Sequence, residues 1–86
     1  YRGEFASEKY NNLDYKESVS YSLNYNTAKH FATRFRECLE LTKSIIYTVK
    51  VPIEDVVGFH HREDEVICIP IKIGGKMEVV KEESML

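Results

Sequence analysis

The sequence lacks the features that would place it in several large functional classes. No apolar run approaches the roughly 18 residues that a membrane-spanning helix needs, and no secretory leader is visible. Basic excess is missing too: 12 Lys and Arg stand against 14 Asp and Glu, a formal net charge of −2. That balance gives no electrostatic basis for binding nucleic acid or an anionic membrane, so neither is expected as a partner. Cysteine is limited to Cys38 and Cys68. Cys38 falls in a predicted helix and Cys68 in an apolar strand, so both read as buried thiols rather than a bridge. There is no glycine-rich phosphate loop, no Gly-x-Ser-x-Gly elbow and no His-x-x-x-His or Cys-x-x-Cys spacing. His60 and His61 are adjacent and would point to opposite sides of a strand, so no metal is expected. Internal repeats, linkers and low-complexity stretches are absent as well.

What remains is an 86-residue chain, 43% hydrophobic and 30% charged, with the composition of one globular domain. A domain of this size buries only roughly 60 to 65% of its unfolded surface, so its core is small. Residues 1–5 read as a short strand and residues 6–17 as a polar surface connection. In residues 19–23, Val19, Tyr21 and Leu23 alternate with Ser20 and Ser22. This predicts a strand with the hydroxyls on one face and the apolar groups on the other. Asn24 to Thr27 supply capping residues, and Ala28, Phe31, Ala32, Phe35, Cys38 and Leu39 follow at helical spacing. An amphipathic helix over about 26–39 is expected, docking that stripe on a sheet. Residues 44–51 (SIIYTVKV) form the clearest strand, closed by Pro52. A turn over 54–57 precedes Gly58, and residues 65–69 form a further strand. Residues 71–73 and 77–80 flank Gly74-Gly75 as a hairpin, and the tail from Lys81 is expected to fray. The order of elements predicts an α+β domain with a largely antiparallel sheet and one main helix.

Three short motifs on these strands carry chemistry. Arg2 lies on an edge strand next to Gly3, where a residue without Cβ leaves room for a phosphate or ribose, and guanidinium is a rigid fork for oxyanions. Ser20 and Ser22 present two hydroxyls that can orient a carboxylate or hold a sugar. Glu63 and Glu65, at strand period two, would project to the same side, and two such carboxylates can divide the labour of cation stabilisation and proton handling. Each motif alone also reads as ordinary polar surface.

Taken in order, the motifs resemble the arginine–serine–glutamate class of mono-ADP-ribosyltransferases. Ser20-Tyr21-Ser22 with Ala28 and Phe31 resembles that family's Ser-Thr-Ser strand and following helix, with Tyr21 in place of the usual Thr. Ile46 to Pro52 resembles its next strand, and Glu63-Asp64-Glu65-Val66-Ile67 its Glu-x-Glu strand. The resemblance implies a split β-sandwich of the ADP-ribosyltransferase kind. It would make residues 1–86 a single small catalytic core, or a piece of a longer protein.

The resemblance also implies roles. NAD would be the substrate, without a metal, and the partner a protein modified on arginine. Arg2, with Gly3, would meet the NAD phosphates or ribose. Ser20 would contact the nicotinamide ribose, and Ser22 would help to position the catalytic glutamate. Glu65 would bind the ribose 2′-hydroxyl and stabilise the oxocarbenium ion, while Glu63 would orient or deprotonate the acceptor. The turn over 58–62 would recognise the target through Phe59. A cytoplasmic enzyme, or an effector or toxin domain secreted or injected into a host cell, would fit. Two alternatives stay open: an NAD glycohydrolase on the same fold, and a non-catalytic module that has lost NAD.

Overall fold

A computed structural model describes residues 1–8, 13–36 and 40–86. Among these residues, two three-stranded antiparallel sheets and one α-helix form an α+β domain. The first sheet orders β1 (Arg2–Ser7), β3 (Leu41–Lys50) and β6 (Glu78–Ser84) side by side, with β3 in the centre. The second orders β2 (Ser20–Ser22), β5 (Glu65–Cys68) and β4 (Val56–His60), with β5 in the centre. The helix, α1 (Tyr25–Thr33), follows β2 directly.

β3 forms where β-branched and aromatic residues cluster, because such side chains suit a pleated surface covered on both faces. Ile46 and Tyr47 point to opposite faces and are both buried. Ile46 packs against Ala28 and Ala32 of α1, whereas the Tyr47 ring lies 4.5 Å from that of Tyr15. The helix sits close because its contact residues are small. A Cβ on Gly3 would stand 1.9 Å from the Ala28 carbonyl oxygen, so only glycine is compatible with this approach. The Ser44 hydroxyl, fully buried, donates to the Ala32 carbonyl at 2.6 Å and holds the end of α1 to the sheet. At the other end Asn24 caps the helix, its side-chain oxygen accepting from the amides of Asn26 and Thr27 at 2.9 and 3.3 Å.

A second cluster joins the sheets: Tyr21 of β2, Cys68 of β5 and Met77, flanked by Val49, Val51 and Ile71. Buried Asp55 supports it by accepting from the Lys76 amide at 2.7 Å, and its carbonyl accepts from the Ile69 amide at 2.9 Å. The sheets also meet where β1 and β2 start. The Tyr1 α-amino group donates to the Ser22 carbonyl and the Ser22 amide to the Tyr1 carbonyl, both at 2.8 Å. No helix among the described residues is long and apolar enough to cross a membrane.

Several local expectations are corrected. The helix ends at Thr33 with a turn over 34–36, and the expected continuation over 37–39, with Cys38, lies outside the described residues. Residues 56–60 are a strand rather than a turn, paired to β5 with a bulge between Val56 and Gly58. The Gly74-Gly75 pair does not join two strands. Ile71–Ile73 is a 3₁₀ turn, closed by Gly74 at φ 102° and tied down by the Lys72 amide donating to the Lys16 carbonyl at 2.9 Å. Residues beyond Lys81 do not fray, because β3 uses them as its second hydrogen-bonding partner as far as Ser84. Val19, Leu23 and Phe31, expected in the core, are 44, 62 and 47% exposed. β2 is too short to include its flanking valine and leucine, and Ala28 and Ala32 are the buried residues of the helix contact, with Tyr25 packed beside them.

Candidate functional site

Between β1, β2, the helix and the β4–β5 connection lies a cleft of about 730 Å³, a size typical of small-molecule sites. β1 contributes Arg2, Gly3 and Glu4. Ser20 and Ser22 come from β2, and Thr27, Phe31 and Arg34 from the helix and the turn after it. Arg62, Glu63, Asp64 and Glu65 close the wall from the β4–β5 connection. Arg2, Ser20, Ser22, Glu63 and Glu65, singled out on separate stretches of sequence, therefore line one cavity. Phe59 does not line it; it is 44% exposed on β4, edge-on to His61 at 4.9 Å.

Register explains the pairing of serine with glutamate. β2 runs antiparallel to β5 with Ser22 opposite Glu65 and Ser20 opposite Ile67. The hydroxyl that reaches the Glu65 carboxylate is that of Ser20, which donates to Oε2. Ser22 Oγ instead accepts from the Asn24 amide at 3.0 Å and shapes the turn into α1. The expected orienting contact to the glutamate thus belongs to the first serine.

The two glutamates do not share a strand face. Glu63 ends a 3₁₀ turn (His61–Glu63), and Asp64 takes a left-handed conformation at φ 48° before β5 begins at Glu65. Aspartate tolerates that region better than most residues, and its carbonyl is fixed by accepting from the Leu23 amide at 2.8 Å. The chain reversal at Asp64, rather than strand alternation, brings both carboxylates to the cleft. Gly3 lines the cleft, and the position its Cβ would take is filled by the Ala28 carbonyl.

Arg2 is held on three sides. Nη1 donates to the Ser20 carbonyl at 3.2 Å and Nη2 to Asp14 Oδ1 at 3.3 Å, while Nε lies 3.6 Å from Glu4 Oε1. Glu4 is 5% exposed, and its Oε1 accepts from the Asp14 amide at 3.0 Å. Burial, reinforced by the neighbouring Asp14 carboxyl, pushes the Glu4 carboxyl up to about 7. Asp14 is held below the ordinary carboxylate range by hydrogen bonding with Glu4, with support from Ser18 and Arg2. Arg2 Nε and Glu4 Oε2 are buried and make no hydrogen bond among the described residues.

Glu4, Asp14, Phe31, Arg34 and Arg62 also line the cleft, and no motif in the sequence marks them as site residues. Phe31 and Arg34 form a unit, with the guanidinium 5.2 Å from the ring centre, and Arg34 also stacks on Phe35 at 4.7 Å. Strand period two placed Glu4 on the same side as Arg2, which is the one signal that could have found it.

Comparison with protein families, with curated proteins and with solved structures finds no match to this chain. The functional reading therefore rests on the residues themselves.

Proposed function

We propose that this domain binds NAD in the cleft and transfers ADP-ribose to arginine side chains of a protein, releasing nicotinamide. One observation carries this reading: an arginine, a serine already engaged with a carboxylate, and a second carboxylate converge on one cavity from β1, β2, the start of β5 and the 3₁₀ turn before it. The presence of two separate antiparallel sheets, with β1 of one and β2 and β5 of the other lining this cavity, supports reading the fold as an ADP-ribosyltransferase-like split sandwich.

The chemistry suits these groups. The bond between nicotinamide and ribose breaks with its electron pair going to the pyridine nitrogen, so the leaving group departs neutral and needs no acid. Positive charge develops on the ribose carbon and ring oxygen, and an adjacent carboxylate stabilises it, as in glycoside hydrolysis. Glu65 has this role, oriented by the Ser20 hydroxyl. The acceptor guanidinium nitrogen attacks the same carbon, and its surplus proton goes to Glu63, which lies beside Glu65 on the cleft wall. Arg2, Arg34 and Arg62 give the cleft cationic walls for the diphosphate, and Phe31 offers an exposed ring face for a base.

Incubation with labelled NAD and polyarginine tests this. Wild type should label the polymer, and Glu65→Gln should lose both labelling and nicotinamide release by roughly 10²- to 10³-fold. Glu63→Gln should lose labelling while retaining NAD hydrolysis. Full activity in Glu65→Gln would refute the assignment. Free ADP-ribose with unlabelled polymer would identify water as the acceptor.

A further inference from the structure

Arg2 faces more negative charge than it can balance. Its Nε and Nη2 face Glu4 and Asp14, and Nη1 is taken by the Ser20 carbonyl. Each guanidinium nitrogen thus already faces a protein oxygen, with Nε held by charge alone and without a hydrogen bond. An anion entering the cleft at Arg2 would meet two carboxylates already sharing one cation, with Glu4 buried among β1, β2 and β3. We propose that Glu4, with Asp14, positions Arg2 and competes with an anionic ligand for its guanidinium, so that seating a diphosphate in the cleft draws a proton onto Glu4. The diphosphate as ligand class rests on the reading of the cleft as an NAD site.

The geometry identifies which carboxylate yields. Asp14 is partly exposed and keeps partners of its own, because Oδ1 also accepts from the Ser18 hydroxyl at 3.0 Å. Glu4 is buried, and its Oε2 has no partner among the described residues, so it gains least from carrying charge. Among the described residues, the charged and titratable groups around Glu4 are Arg2 on its own strand, Asp14, Tyr21 of β2 and Tyr47 of β3. Burial raises both tyrosines, Tyr47 to about 12, so they stay neutral at physiological pH. With its own titration near neutrality, Glu4 is the group in this cluster that changes charge there. Protonated, it leaves Arg2 balanced by Asp14 alone and able to meet an anion. Ionised, it turns the arginine inward. None of the three histidines lies on the cleft wall.

A positioning role makes affinity depend on pH, which a purely structural role would not. ADP-ribose is the probe, because its diphosphate keeps the same charge from roughly pH 5.5 to 8.5. For wild type the Kd should tighten as pH falls through about 7, by roughly tenfold for each unit by which the ligand raises the Glu4 pKa. Glu4→Gln retains the shape and the acceptor for the Asp14 amide. It should bind at every pH about as tightly as wild type does at low pH. The α-amino group of Tyr1, lowered by burial, is common to both proteins and cancels in the comparison. Calorimetry near pH 7 in two buffers of different ionisation enthalpy should show net proton uptake on binding to wild type and clearly less on binding to Glu4→Gln. Binding with no uptake, or an equal pH dependence in Glu4→Gln, overturns the coupling while leaving the nucleotide site standing. No binding of ADP-ribose at any pH overturns both.

Discussion

Replacing Gly3 by alanine gives the most direct check on how the helix is seated. The added Cβ would stand 1.9 Å from the Ala28 carbonyl oxygen and 3.0 Å from the Ala32 amide nitrogen. Reaching an ordinary contact of 3.4 Å requires α1 and β1 to separate by about 1.5 Å. The obstacle is backbone, so no side-chain rotation relieves it. Overpacking of this kind costs typically 1–3 kcal/mol, and here it also lifts Ala28 and Ala32 off Ile46. We expect about 3 kcal/mol of lost stability, which in a domain of this size lowers the thermal midpoint by on the order of 15 °C. Urea unfolding followed by circular dichroism reads the first quantity and a thermal scan the second. Thr27, Phe31 and Arg34 move with the helix, so ADP-ribose affinity should fall as well. Gly58→Ala is the control: its Cβ would sit 3.5 Å from Ile67, an ordinary contact, and stability should change by less than about 0.5 kcal/mol. A Gly3→Ala protein that melts within about 2 °C of wild type would refute the helix placement and, with it, the cleft wall.

Glu4 makes stability depend on pH in a defined direction. Burial pushes its pKa in the folded protein up to about 7, above the ordinary value of 4.5, so between those values the folded protein holds a proton that the unfolded chain has released. Stability therefore falls as pH rises through that window, by on the order of 3 kcal/mol in all. Glu4→Gln should remove this slope in urea titrations run from pH 5 to 8; an unchanged slope would place the titration elsewhere. Asn24→Ala removes a cap from two amides and should cost about 1 kcal/mol, with Asn24→Asp restoring most of it in the same unfolding assay. Ser44→Ala deletes a buried hydroxyl and leaves the Ala32 carbonyl without that donor; we expect a loss of about 1–2 kcal/mol, and a neutral result would show that water replaces the bond.

Patterns that act over a few residues were legible in the sequence. The β-branched run before Pro52, the alternation at Ser20-Tyr21-Ser22 and the cap at Asn24 all state a local preference, and the structure follows it. Features decided by contacts between distant segments were not. β4 reads as a loop because Gly58 and two histidines interrupt its pattern, and pairing with β5 across a bulge overrides them. Ile71 to Ile73 have the composition of a strand, yet Pro70 and the bond to Lys16 bend them into a turn. Phe31 keeps helical register with Ala28 but faces the cleft, because the alanines already fill the contact with β3. The separate contributions of arginine, serines and glutamates were visible one by one. That a buried neighbour, Glu4, would compete for the arginine depends on the fold around β1, and no spacing announces it.

The passage from Ser22 to the helix is very short. One residue separates Ser22 from Asn24; the serine oxygen accepts the asparagine amide, and the asparagine oxygen accepts two amides of the first turn. Such a junction behaves as a rigid elbow rather than a tether. Because β2 is itself paired to β5, the junction fixes α1, with Thr27 and Phe31, relative to the strand that brings the Ser20 hydroxyl to Glu65. Lengthening that elbow by even one residue would let the helix move without the hydroxyl following.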